Sequence, residues 1–169
     1  MPVMAERDPN LAGGRNRPTA DDDFAAWVQH QVDALRGARF DEIDVQDLAD
    51  EVESLAKRDF RALSNALRII LLHMLKWDYQ RERRGESWRH SIREHRRRVV
   101  VSLKASPSFE ARLDEATADA YALARLQAHR QTGVFLHNFP EECPYSWHEI
   151  MMRLHELDGD WVYPDRNID

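Results

Sequence analysis

Between Asp44 and Tyr79 the chain carries no Gly or Pro. Its apolar residues recur at three- and four-residue intervals, at Leu48, Val52, Leu55, Ala62, Leu63, Ala66, Leu67, Ile70, Met74 and Trp77, with His73 in the same stripe. That period belongs to an amphipathic helix; a strand would alternate every second residue. At helical rise such a segment spans roughly 50 Å, more than the width of a small domain. Asp59 interrupts the stripe, so a bend or a change of packing partner is expected around Lys57 to Phe60.

The same pattern marks shorter helices on either side. Asp21, Asp22 and Asp23 supply a cap and favourable charge for a helix with Phe24, Trp27, Val28, Gln31, Val32 and Leu35 on one face, ended by Gly37. Asp41 or Asp44 then caps the long helix. Ser87 is expected to cap a helix with the stripe Trp88, Ile92, His95, Val99 and Leu103, and Ser106-Pro107 to open another with Phe109, Leu113, Ala116, Ala120 and Leu123 facing inward. Thr132-Gly133 ends it. Pro140 and Pro144 keep 134–145 irregular, because the residue before a proline avoids helical geometry. Ser146 and Glu149 form a capping box for a last helix running to about Leu157 and stopped by Gly159.

No stretch reads as a strand. The expected fold is all-α, a single-domain helical bundle of about six helices around one long helix with a kink. Residues 1–20 are expected to form a flexible tail and 21–163 the helical domain, onto which Trp161, Val162 and Tyr163 dock, with a frayed end at 164–169.

A chain of 169 residues has enough interior for one core, and 32% charged residues exceeds the usual share of about 25%. No apolar run is long enough to cross a membrane, and the first residues lack the apolar core of a secretion signal. Cys143 is the single cysteine, so no internal disulfide forms, which fits a cytoplasmic setting. The net charge of -6 disfavours indiscriminate binding to nucleic acid. It is unevenly spread, however. Asp41 to Glu53 contains acids and no base, whereas Arg81 to Arg98 is rich in arginine. The two segments are expected to pair, within one chain or between two copies in a homodimer.

His73, Lys76 and Trp77 share one side of the long helix, and a buried histidine there needs partners for both ring nitrogens. Asp47, Asp50, Glu51 and Ser54 form an acidic ridge, but no Glu-x-x-His pair answers it, and no metal or cofactor is expected. Neighbouring Glu141 and Glu142 raise the Cys143 thiol and argue against a nucleophile. Arg89, Arg93, Arg96 and Arg97 are candidate contacts for an anion or a partner, with Trp88 among them.

Several ordered motifs resemble the DUF29 family of small bacterial proteins. They are DDDFAAWVQHQVDALRGARFDEIDVQDLADEVESL, LRIILLHMLKW, SWRHSIREHRRRV, SPSF and FPEECPYSWHEI, and together they span about Asp22 to Ile150. The resemblance implies an all-helical fold and a bacterial source and carries no activity with it. The motif positions that map here are Glu51, Glu53, His73, Lys76, Ser87 and Trp88, with Asp50 where the family pattern has Glu. Three functional readings follow. The first is a non-catalytic protein-interaction or adaptor module with an unknown protein partner. The second is a nucleic-acid binder using Arg81 to Arg98, and the third a hydrolase or metal-dependent enzyme built on Glu51 and His73.

Overall fold

The computed structural model describes residues 17–157. The docking of Trp161, Val162 and Tyr163, the stop at Gly159, the tail at 164–169 and most of the tail at 1–20 lie outside the described residues. Among the described residues the chain is all-α, with five α-helices and short 3-10 turns between them. The count is five where about six were expected, and the long segment that a kink would have divided runs as one helix. The chain packs as two compact units, one up to Leu55 and one from Ala56.

In the first unit, helix α1 (Phe24–Arg36) starts at Asp23, whose carboxylate accepts from the Ala26 backbone N–H at 3.0 Å. It ends at Gly37, as its sequence predicts. Its inward face is turned from the expected one. Trp27, Gln31 and Ala34 are buried, while Phe24, Val28 and Leu35 stay exposed. A polar contact sets this rotation, since the Gln31 side-chain oxygen accepts from the Asp44 backbone N–H at 2.9 Å where the chain enters the long helix. A 3-10 turn at Phe40–Glu42 connects the two helices.

Helix α2 (Val45–Tyr79) is a single uninterrupted element of 35 residues, and its hydrogen-bonded run passes through Lys57 to Phe60 without a break. Asp44 opens it, its carboxylate taking the Asp47 N–H and its carbonyl the Leu48 N–H. The expected stripe is only partly used. Val52, Leu55 and Ala62 are exposed, and continuous burial starts at Leu63 and runs through Ala66, Leu67, Ile70, Leu71, Leu72, Met74, Leu75 and Trp77.

In the second unit that run packs against helix α3 (Glu86–Ala105), helix α4 (Leu113–Thr132) and helix α5 (Trp147–Met152), with Ile92, Val99, Ala116, Ala120, Tyr121, Phe139 and Ile150 completing the core. Small residues line the inner face of α4 at Ala116, Ala120, Ala124 and Ala128, which lets helices approach closely. Leu123 lies off that face and is exposed, contrary to expectation.

Three further boundaries differ from the sequence reading. Helix α3 begins at Glu86 from an extended Gly85, so Ser87 is its second residue and not its cap. Pro107 opens a 3-10 turn, Pro107–Arg112, before α4 proper, and Ser106 makes no side-chain cap. The last helix stops at Met152, where Arg153 turns to extended geometry, well short of Leu157. Gly133 closes α4 in the left-handed region with φ 74°, a conformation that favours glycine.

Candidate functional site

The polar motif positions divide between the units. Glu51 and Glu53 lie in the first. His73, Lys76, Ser87 and Trp88 lie in the second, and of these His73, Lys76 and Trp88 come together while Ser87 is exposed at the start of α3. The Lys76 ammonium sits 4.6 Å from the centre of the Trp88 ring and donates to Gln131 Oε1 at 3.1 Å. The His73 ring lies 6.3 Å from the same indole, and its Nδ1 is buried without a hydrogen-bond partner. Burial, with Lys76 and then His95 adding positive charge nearby, pushes the His73 pKa down to about 4, so the ring is neutral at physiological pH. Burial also lowers the Lys76 pKa, with Arg83 contributing. The trio is a packed, partly desolvated cluster. Among the described residues its hydrogen bonding is limited to Lys76 with Gln131, with no carboxylate or nucleophile bonded to the histidine or the lysine, as acid–base or covalent work requires.

The arginines of α3 find their carboxylates on their own helix. Glu86 lies 3.3 Å from Arg89 and 3.8 Å from Arg93, and Glu94 lies 3.3 Å from Arg97 and 3.1 Å from Arg98. Such exposed pairs are screened by solvent and add little to stability, and they serve to hold the side chains along the helix surface. Arg96 does something else. Its guanidinium donates to the carbonyls of Ile150 at 2.6 Å, Arg153 at 2.9 Å and Glu149 at 3.1 Å, satisfying the open end of α5.

A surface cleft of 720 Å³ lies between the first half of α4 and the segment from Glu141 to Ile150. Its floor is Leu113, Tyr121, Tyr145 and Ile150, with Cys143 beside them, and Trp147 stands partly exposed at its edge. Glu110, Asp114, Glu141 and Glu142 supply the charge; no Lys, Arg or His lines the cleft among the described residues.

Side chains hold the irregular wall of the cleft in place. Tyr121 donates to the Pro140 carbonyl at 2.7 Å, and Arg125 donates to the carbonyls of Phe139 and Leu136. Tyr145 donates to Asp78 at 2.8 Å. The carbonyls of Leu136, Phe139 and Pro140 are thereby paired by side chains of α4. Burial raises the Cys143 pKa, with a backbone hydrogen bond at Tyr145 opposing this and Glu149 adding to it, so the thiol is a weak nucleophile at neutral pH.

The family model described as "Domain of unknown function DUF29" matches residues 20–155. The chain belongs to the DUF29 family. No curated protein and no solved structure matches it. The match covers all five described α-helices of this DUF29 chain, with both the His73–Lys76–Trp88 cluster and the acidic cleft inside it. Among the described residues no three His, Cys, Asp or Glu side chains are grouped to hold a metal ion, and no helix is long and apolar enough to cross a membrane.

Sequence reasoning singled out His73, Lys76 and Trp88 and missed the cleft. Its signal was available only as two separate acidic pairs, Glu110 with Asp114 and Glu141 with Glu142, in segments that the fold later joins.

Proposed function

We propose that this DUF29 protein is a non-catalytic protein-interaction module whose first unit carries a docking surface for a partner helix. One observation carries the reading. Val45, Leu48, Val52 and Leu55 recur at alternating spacings of three and four, the a/d register of a helix–helix seam. Val45, Val52 and Leu55 are nevertheless 70%, 58% and 44% exposed. Asp44, Asp47, Asp50, Glu51 and Glu53 flank them. The Asp47 pKa is raised chiefly by Asp44, by its charge and then its hydrogen bond, with smaller contributions that include Asp21 and Asp50, so like charges are crowded here.

A second copy of this segment would set carboxylates against carboxylates. An amphipathic helix with basic flanks would cover the stripe and relieve the crowding at once. The nucleic-acid reading draws less support, because Arg93, Arg97 and Arg98 already lie against Glu86 or Glu94.

The test is site-specific photo-crosslinking in cells of the source organism from residue 52, followed by reconstitution with the purified adduct partner. Val52→Asp together with Leu55→Asp should keep the circular dichroism of the parent and weaken that reconstituted complex at least tenfold. An unchanged affinity in the folded double variant would overturn the assignment.

A further inference from the structure

We propose that the acidic cleft of the second unit is a separate recognition site for a basic peptide segment, one that presents arginine beside an apolar residue. The site is independent of the stripe on α2, and together the two would make the protein an adaptor with two different partners. Concavity, apolar floor and one-signed charge combine here and in no other cleft described. A groove of 720 Å³ is large enough for two or three side chains of an extended segment.

The floor of Leu113, Tyr121 and Ile150 takes an aliphatic side chain. The exposed Glu110, Asp114, Glu141 and Glu142 have no cationic partner among the described residues, so an incoming guanidinium gains their attraction without displacing an existing ion pair. Trp147, 37% exposed at the edge, offers an indole face on which a planar guanidinium stacks. An acidic or neutral peptide finds no counterpart. The wall opposite α4 is already held by Tyr121, Arg125 and Tyr145, so little conformational entropy is lost on binding.

The full chain supplies its own reporter, because Cys143 is its single cysteine and lines the cleft. The probe is a fluorescein-labelled peptide of sequence Leu-Arg-Leu-Arg-Leu, blocked at both ends, compared with the same peptide bearing citrulline, which keeps the shape and removes the charge. Fluorescence anisotropy should show saturable binding that weakens with added salt, and the peptide should slow alkylation of Cys143 by iodoacetamide at pH 9. The citrulline peptide should bind at least tenfold more weakly. The folded double variants Glu141→Gln/Glu142→Gln and Glu110→Gln/Asp114→Asn should each lose at least fivefold, while Val52→Asp/Leu55→Asp should bind the peptide like the parent.

Equal binding of the two peptides, or full affinity in both acid variants, would overturn the proposal. So would binding that leaves Cys143 alkylation unchanged, which would place the peptide elsewhere on the acidic surface. Loss of the reconstituted complex with retention of peptide binding, or the reverse, separates the fate of this site from that of the α2 surface.

Discussion

Arg153 grips Asp78 through two hydrogen bonds, at 2.6 Å and 3.0 Å, joining the last described turn of the chain to the end of α2 across 75 residues of sequence. Tyr145 donates to the same carboxylate. Burial alone would raise the Asp78 pKa, but the hydrogen bonds from Arg153 and Tyr145 outweigh it and hold the pKa below the usual carboxylate value. This contribution to stability is present above the ordinary aspartate range and is lost as pH falls through the lowered folded-state value. Asp78→Ala should lower unfolding stability by about 1–3 kcal/mol in urea melts at pH 7, with Tyr145→Phe costing less. A change below about 0.5 kcal/mol would show that solvent replaces these bonds.

Two histidines make a different acid-sensitive element. His73 packs by Trp88, and His155 lies edge-on to Trp77 at 5.2 Å. Each has a buried ring nitrogen without a partner. Burial first, and then nearby cations, pushes both pKa values down to about 4. In the unfolded chain they titrate near 6.5, so between those values unfolding takes up protons and stability falls as pH drops. The melting temperature should decline steadily from pH 6.5 to pH 4, and His73→Leu/His155→Leu should flatten the decline. An unaltered pH slope in the double variant would assign the acid sensitivity to other groups.

The three carbonyls held by Arg96 predict a local effect. Arg96→Ala should fray α5 and raise amide hydrogen exchange across Trp147–Met152, with a global cost of about 1.5–3 kcal/mol. Arg96→Lys should recover only part of this, because a single ammonium cannot reach three carbonyls in the planar fork geometry of guanidinium. Full recovery by lysine would show that charge and not geometry matters there.

Backbone conformation gives a paired prediction. Gly133 has φ 74° with open space around it, and Ala38 has φ 53°. Gly133→Ala should destabilise by about 1 kcal/mol from strain alone, and Ala38→Gly should stabilise by up to about 1 kcal/mol. Thermal melts of the two variants should move in opposite directions.

Local rules carried much of the architecture. The period of α2, the Asp23 and Asp44 caps, the Gly37 and Gly133 stops and the Ser146–Glu149 capping box all depend on residues within a few positions of one another, and each stands where the sequence puts it. What depends on distant partners was not legible. A stripe such as Leu48 to Trp77 shows which side of a helix is apolar and not how much of it is covered, so the exposure of Val52 and Leu55 against the burial of Leu63 to Trp77 emerged only with the packing of the rest of the chain. The same holds for chemistry. His73, Lys76 and Trp88 stood out as residue types, but only tertiary contacts made them a packed cluster, turned Arg96 from a surface charge into a helix cap, and brought Glu110 and Asp114 to the same cleft as Glu141 and Glu142. The physical reason is range: caps and turns are decided by a hydrogen bond to a near neighbour, whereas burial and shared electric field belong to groups that chain folding brings together from far apart in sequence.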